Sequence, residues 1–215
     1  MKRAKGHKNR LDDANVQLSK ELWLIKSGLA VYQVIGLNVE SIESGGAFFG
    51  LVQKQSLDAV VLGLAKVFER DETYELCSVR GVYRLAKQVQ IQDTDAARAF
   101  VGKYGISESG DWIRDVDQVF SKQRPRIQSH LQKINRVRHT RLAHIQQNAP
   151  SGVLPSITLF EDLLGFAFDF HSFVNEAFLS THSHPILDER KTESSLLSLF
   201  KKIGVNNPAS EFEDA

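Results

Sequence analysis

Residues 121–147 hold seven Lys or Arg side chains, Lys122, Arg124, Arg126, Lys133, Arg136, Arg138 and Arg141, and no Asp or Glu. His130, His139 and His144 fall in the same stretch. On a helix, Arg138, Arg141 and His144 follow one another at steps of three, so their side chains are neighbours and like charges there repel. Two readings account for such a run. In one, acidic residues of other helices, such as Asp111, Asp115, Asp117, Glu161 or Asp162, neutralise it. In the other, the anion is a ligand with many charges, and a phosphodiester chain fits best. The residue types suit that chemistry. An arginine fork matches two phosphate oxygens and stays charged, whereas an imidazole with a pKa of ~6.5 can pass a proton near neutrality.

The elements that must carry these residues read as helices throughout. Only 5 prolines and 14 glycines interrupt 215 residues, and apolar side chains recur at three- and four-residue steps. A first long helix is predicted over residues 12–38, capped by Asp12 or Asp13, and a second over 47–69, apolar nearly all round between Ala59 and Leu64. Shorter helices are predicted around residues 82–89 and from the Asp93 or Thr94 cap to Tyr104. Residues 105–110 then form a turn-rich linker. A helix starts over 111–120, and Pro125 either kinks it or opens the next, which runs on to about Gln147. After a loop at 148–156, an amphipathic helix spans 158–179. A short helix near 194–202 and an acidic tail with Glu211, Glu213 and Asp214 complete the chain. The pattern is all-α. It divides into a helical domain over 12–180, a C-terminal short helix and acidic tail over 181–215, and a basic N-terminal arm over 1–11.

Composition excludes several classes. The hydrophobic share of 42% and charged share of 25% are those of a globular chain. The net charge of +1 gives no global field, so any steering must come from the local cationic run. A lone cysteine, Cys77, excludes an intrachain disulfide framework. The longest apolar stretches, such as 59–65, fall far short of the ~20 residues a membrane span needs. Residues 1–10 are basic with no apolar signal core behind them, which leads us to expect a cytoplasmic protein with no membrane partner. Thr181-His182-Ser183-His184-Pro185 reads as a loop and not a metal pair. Gly45-Gly46 lacks the Lys-Ser/Thr of a phosphate loop. No cofactor or metal is expected.

The segment Arg138-His139-Thr140-Arg141-Leu142-Ala143-His144 resembles the signature of the HEPN superfamily (higher eukaryotes and prokaryotes nucleotide-binding). Five residues separate Arg138 from His144, His139 takes a polar place usually held by Asn or Asp, and Ala143 precedes the His. Residues 56–71 resemble the second core helix of the abortive-infection AbiU-like branch, and the resemblance covers roughly residues 12–179. It implies a HEPN-type helical bundle with additional helices. It also implies a metal-independent endoribonuclease, commonly a homodimer whose two motifs face each other. Such proteins act in phage defence or as toxins held by an antitoxin or other inhibitor protein. On that basis His144 is the acid/base and Arg138 the phosphate and transition-state ligand, with His139 and Arg141 in support. Lys122, Arg124, Arg126, Lys133 and Arg136 would bind the RNA. The chain departs from the pattern after the His, where Ile145, Gln146 and Gln147 stand in place of an acidic residue or a tyrosine. The alternative is a non-catalytic helical module that uses the same basic face for a nucleotide, RNA or an acidic protein partner.

On an ideal helix, six residues separate Arg138 and His144 by about 120° in angle and about 9 Å along the axis. One copy does not bring the two side chains together easily: either the long Arg138 swings round or a second copy of the motif supplies the partner, and the geometry favours a dimeric site. Sedimentation should therefore return a two-fold dimer. A strict monomer at assay concentrations would contradict this expectation.

Overall fold

A computed structural model of the chain describes residues 2–42, 45–69, 77–137, 155–179 and 189–205. Among them are the helices α1 (Lys2–Leu37), α2 (Gly46–Val67), α3 (Val79–Ala86), α4 (Thr94–Lys103), α5 (Trp112–Val137), α6 (Ile157–Val174) and α7 (Glu189–Lys202). No described residue lies in a strand. The expected all-α class is what the chain adopts.

α1 and α2 form an antiparallel hairpin. Glu21 meets Lys66, Ile25 meets Gly63, and Gly28 lies against Ser56 and Val60. The missing side chains of Gly28 and Gly63 let the two backbones approach. α1 starts at Lys2, well before the expected cap at Asp12 or Asp13. Leu11 and Ala14 explain the difference, because they extend the stripe of Leu18, Leu22, Ile25 and Leu29 into the core. The basic N-terminal arm expected over 1–11 is, from Lys2 on, part of this helix.

α6 occupies the centre. Leu159, Phe160, Leu163, Leu164, Phe166, Ala167, Phe170, Phe173 and Val174 are all buried on it, and α1, α2, α3, α4 and α5 pack around it. The predicted single helix over 158–179 changes at Val174 into a wider turn of helix, Asn175–Leu179. There Asn15 Nδ2 donates to Asn175 Oδ1 (2.8 Å), and the Ala177 carbonyl accepts from the Gln92 and Asp93 amides at 2.7 and 3.2 Å. The Gln92 and Asp93 amides thus satisfy a backbone carbonyl that a continuing helix would pair internally. His171, flanked by Phe170, is buried and packed beside Asn175.

Local signals explain the remaining elements. Ser78 Oγ accepts from the Gly81 amide at 3.1 Å, starting α3 three residues earlier than predicted. Asp93 accepts from the Asp95 and Ala96 amides and caps α4, as expected. Asp111 accepts from the Ile113 and Arg114 amides and opens α5. Pro125 neither ends α5 nor begins another helix, since α5 runs unbroken through it. It is exposed, so water can reach the carbonyl that its absent N–H leaves unpaired. α7 begins ahead of the predicted 194 and covers the turn end of the hairpin, where Phe200 packs with Val34, Ile35 and Phe49.

A Cβ on Gly63 would sit 2.5 Å from Ile25 Cγ1, closer than side chains pack. Gly63→Ala should therefore destabilise the protein by about 1–3 kcal/mol. Gly102→Ala on α4, where nothing lies within 4 Å, should instead be neutral or stabilise by up to about 1 kcal/mol. Thermal unfolding of the two variants checks this, and equal shifts would contradict the packing described.

Candidate nucleic-acid interface

α5 carries the cationic run through Val137. Its core side is set by Val116, Val119, Ile127, Ile134 and Val137, all buried. With about 100° per residue, Lys122, Arg126, Lys133 and Arg136 fall within about 80° of one another on one exposed flank. Arg124 lies about 160° from Lys122, on the opposite flank. The five expected binding residues are thus split into a row of four and a single side chain. All five are exposed.

Lys122 and Arg126 of the row have structural partners. Lys122 Nζ donates to the Tyr104 and Gly105 carbonyls at 2.8 and 3.2 Å, satisfying the C-terminal end of α4 with a favourable charge. Arg126 pairs with Asp162 of α6, and His130 Nε2 lies 3.4 Å from the same carboxylate oxygen. Neither ring nitrogen of His130 has a hydrogen-bond partner, although both are buried. The Arg126 guanidinium, and secondarily His130, hold the Asp162 carboxyl below the usual carboxylate range.

The neutralisation reading holds for Asp162, which pairs with the run through Arg126. Asp111 caps α5, and Asp115 is buried and accepts from the Ser109 amide (2.9 Å) and hydroxyl (2.6 Å). Glu161 and Asp162 line a cleft of about 240 Å³ between α4, α5 and α6, together with Tyr104, Gln123, Arg126 and His130. In the same cleft Asp169 accepts from Lys103 Nζ and Tyr104 Oη, both at 2.7 Å. Burial pushes the Tyr104 phenol up, and the Asp169 hydrogen bond adds to it.

Sequence reasoning missed the cations of α3. Arg80 lies over the Phe120 ring at 4.2 Å and Lys87 over the Tyr83 ring at 4.5 Å. Arg80, Arg84 and Lys87 follow at steps of four and three, so they share a face of a helix that contains no acidic residue. That spacing was the available signal. Arg124 stands one turn beyond Phe120 on α5, on the flank opposite Lys122.

Arg138, His139, Arg141 and His144 lie outside the described residues, as do Thr181–Pro185 and the acidic tail. Arg138 follows Val137, the last described residue of α5. Among the described residues, no group of three or more His, Cys, Asp or Glu could hold a metal ion, and no helix is long and apolar enough to cross a membrane.

Because Asp162 is depressed, its ion pair contributes stability above the ordinary carboxyl value of 3.8 and loses it as pH falls through the lowered folded value. The pair is largely exposed, so that contribution is at most about 1 kcal/mol. Arg126→Gln should raise the Asp162 pKa, read by NMR titration, and shift stability by no more than this amount. An unchanged Asp162 titration would contradict the pairing.

No curated protein and no solved structure matches the chain. A family model described as AbiU2, of the HEPN group, matches residues 8–197. That span takes in the α1–α2 hairpin, the cationic α5, the central α6 and the segment carrying Arg138 and His144. The chain belongs to the HEPN AbiU2 family, the abortive-infection-related branch that its sequence pattern resembles.

Proposed function

We propose that this protein is a metal-independent endoribonuclease of HEPN type, acting in phage defence or as the toxin of a toxin–antitoxin pair. The observation that carries the reading is one of sequence joined to structure. The Arg138…His144 motif follows directly on α5, whose exposed side from Ser121 to Val137 contains cations and no carboxylate. A polyanion held along that helix is led to the motif. His144 takes the proton from a ribose 2′-OH, and Arg138 holds the phosphate and the charge that develops on it. His139 and Arg141 support them. A second copy completes the arrangement, and an inhibitor protein restrains it.

Wild-type protein should cleave RNA in the presence of EDTA. His144→Ala should lower the rate by about 10²–10⁴-fold, the usual range for general acid–base catalysis, while RNA binding persists. Arg138→Ala should weaken binding and cleavage together. Protein that binds varied RNAs in a salt-dependent way but leaves them intact would overturn the nuclease reading in favour of a binding module.

The row on α5 makes a graded prediction. Lys133→Gln should reduce RNA affinity and lower the salt slope by about one. Arg126→Gln should do less, because Arg126 already shares its charge with Asp162, and Asp162→Asn should tighten binding. Filter binding across a salt series measures all three.

A further inference from the structure

Eight of the nine large apolar side chains left exposed among the described residues lie on α1, on α2 or on the turn between them. Singly exposed apolar residues are ordinary, but here they line up. Phe48, Leu51, Gln55, Ala59, Leu62 and Lys66 follow one another along α2 at steps of three and four, within about 80° of one another. This strip lies opposite Leu57, Val60, Val61, Leu64 and Val67, which face the core. All six of its residues are exposed, Phe48 at 60% and Leu51 at 54%. The Phe48 ring stands edge-on to Phe49, which packs on Phe200, so the core itself holds Phe48 in place. At the other end Trp23 and Leu24 of α1, both exposed, widen the strip. They come level with it there because Ile25 meets Gly63 and Glu21 meets Lys66.

We infer that a second copy of the chain docks on this strip, with its α2 antiparallel to the first about a two-fold axis near Ser56. The order of residues along the strip points to a copy of itself. Its ends are apolar, Phe48 with Leu51 and Leu62 with Leu24, and lie about equally far from Ser56. Its middle holds Gln55 and the small Ala59, which permits close approach. Reversing one copy on the other therefore lays each apolar end on its opposite, twice, as an isologous interface requires. Phe48 and Leu51 straddle Leu62 of the second copy, the packing of knobs into holes. The two Gln55 amides, each a donor and an acceptor, meet across the axis. Lys66 comes within one helical turn of the Phe48 ring of the second copy, in reach of a cation–π contact.

Charge follows the same symmetry. Lys54 and Asp58, an ion pair at 2.7 Å, line one margin of the strip. The two-fold sets that margin against itself in the reverse direction, so Lys54 of each chain falls opposite Asp58 of the other. The area also suffices. A strip about 27 Å long and two helices wide covers about 540 Å² on each copy, or about 1,100 Å² for the pair, above the about 1,000 Å² of a specific interface. The inference takes from the proposed function only that a second copy is required, and names the surface that recruits it.

Sedimentation of the full-length protein over a concentration series tests this. Wild type should be dimeric. Leu51→Glu and Leu62→Glu should each weaken the dimer about tenfold or more, with helix content unchanged by circular dichroism because both side chains are exposed. Val16→Glu, also exposed but beyond the end of α2, should leave the dimer unchanged. Charge reversal gives a second reading that needs no apolar variant. Lys54→Glu and Asp58→Lys should each dimerise more weakly alone, because like charges then face each other. Their equimolar mixture should recover the dimer, since each chain meets its complement. Wild type that stays monomeric, a dimer indifferent to both leucine substitutions, or a mixture no more dimeric than its components would each overturn the inference. The nuclease reading fails separately, as RNA left uncut in EDTA whatever the state of assembly.

Discussion

The aromatic packing around α6 is the constraint on which the other helices depend. Phe166 meets Phe68, Tyr104 and Phe120, Phe170 meets Tyr83, Phe100 and Phe120, and Phe173 meets Phe100, Trp112 and Phe178. Rings here pair with centroids 4.8–6.4 Å apart, and each such contact adds about 0.5–1.5 kcal/mol beyond its buried area. Three phenylalanines on one helix thus tie together the end of α2, Tyr83 of α3, Phe100 and Tyr104 at α4, and the first half of α5. The rotation of α5 about its own axis follows from Phe120, which must reach α6. Once Phe120 is inside, Lys122 and Arg124 are forced to opposite flanks.

Charge is accommodated within that frame in two ways. Lys122 and Arg126 use protein acceptors, namely the carbonyls that end α4 and the Asp162 carboxylate. Arg80 and Lys87 use the faces of rings that already belong to the core. The second device orients a cation on the face of an aromatic ring. Lys122 also ties the end of α4 to α5, next to the Tyr104–Asp169 bond of the neighbouring cleft. The same few side chains therefore position the helix and supply its charge.

Much of this was legible in the sequence, because a helix announces itself through the period of its apolar residues. The stripe Leu18, Leu22, Ile25 and Leu29, the Asp93 cap and the Phe-rich run of α6 each led to the right element. Errors arose where a tertiary partner outvoted a local signal. Asp12 and Asp13 look like caps, yet Leu11 extends the buried stripe beyond them. Pro125 looks like a boundary, yet it falls on the exposed side of α5, where the missing N–H is tolerated. Asn175 sits inside an unbroken apolar pattern, and the bond from Asn15, 160 positions away in the chain, was invisible there. For the candidate interface, the acid-free run on α5 was plain, but its division into two flanks needed Phe120 to be placed. The α3 cations acquired meaning only when Arg80 was seen beside the same ring.

The central claim is that the chain breaks RNA through attack by a neighbouring ribose hydroxyl, with His144 as the proton acceptor and Arg138 on the phosphate. That route leaves a chemical mark, because the attacking oxygen stays on the product. Mass spectrometry of the fragments made by the wild-type protein in EDTA tests it most directly. The account predicts 2′,3′-cyclic phosphate on the upstream fragment and a 5′-hydroxyl on the downstream one, with both formed about 10²–10⁴-fold more slowly by His144→Ala. Fragments ending in 3′-hydroxyl and 5′-phosphate would mean that water was the nucleophile and would contradict the account.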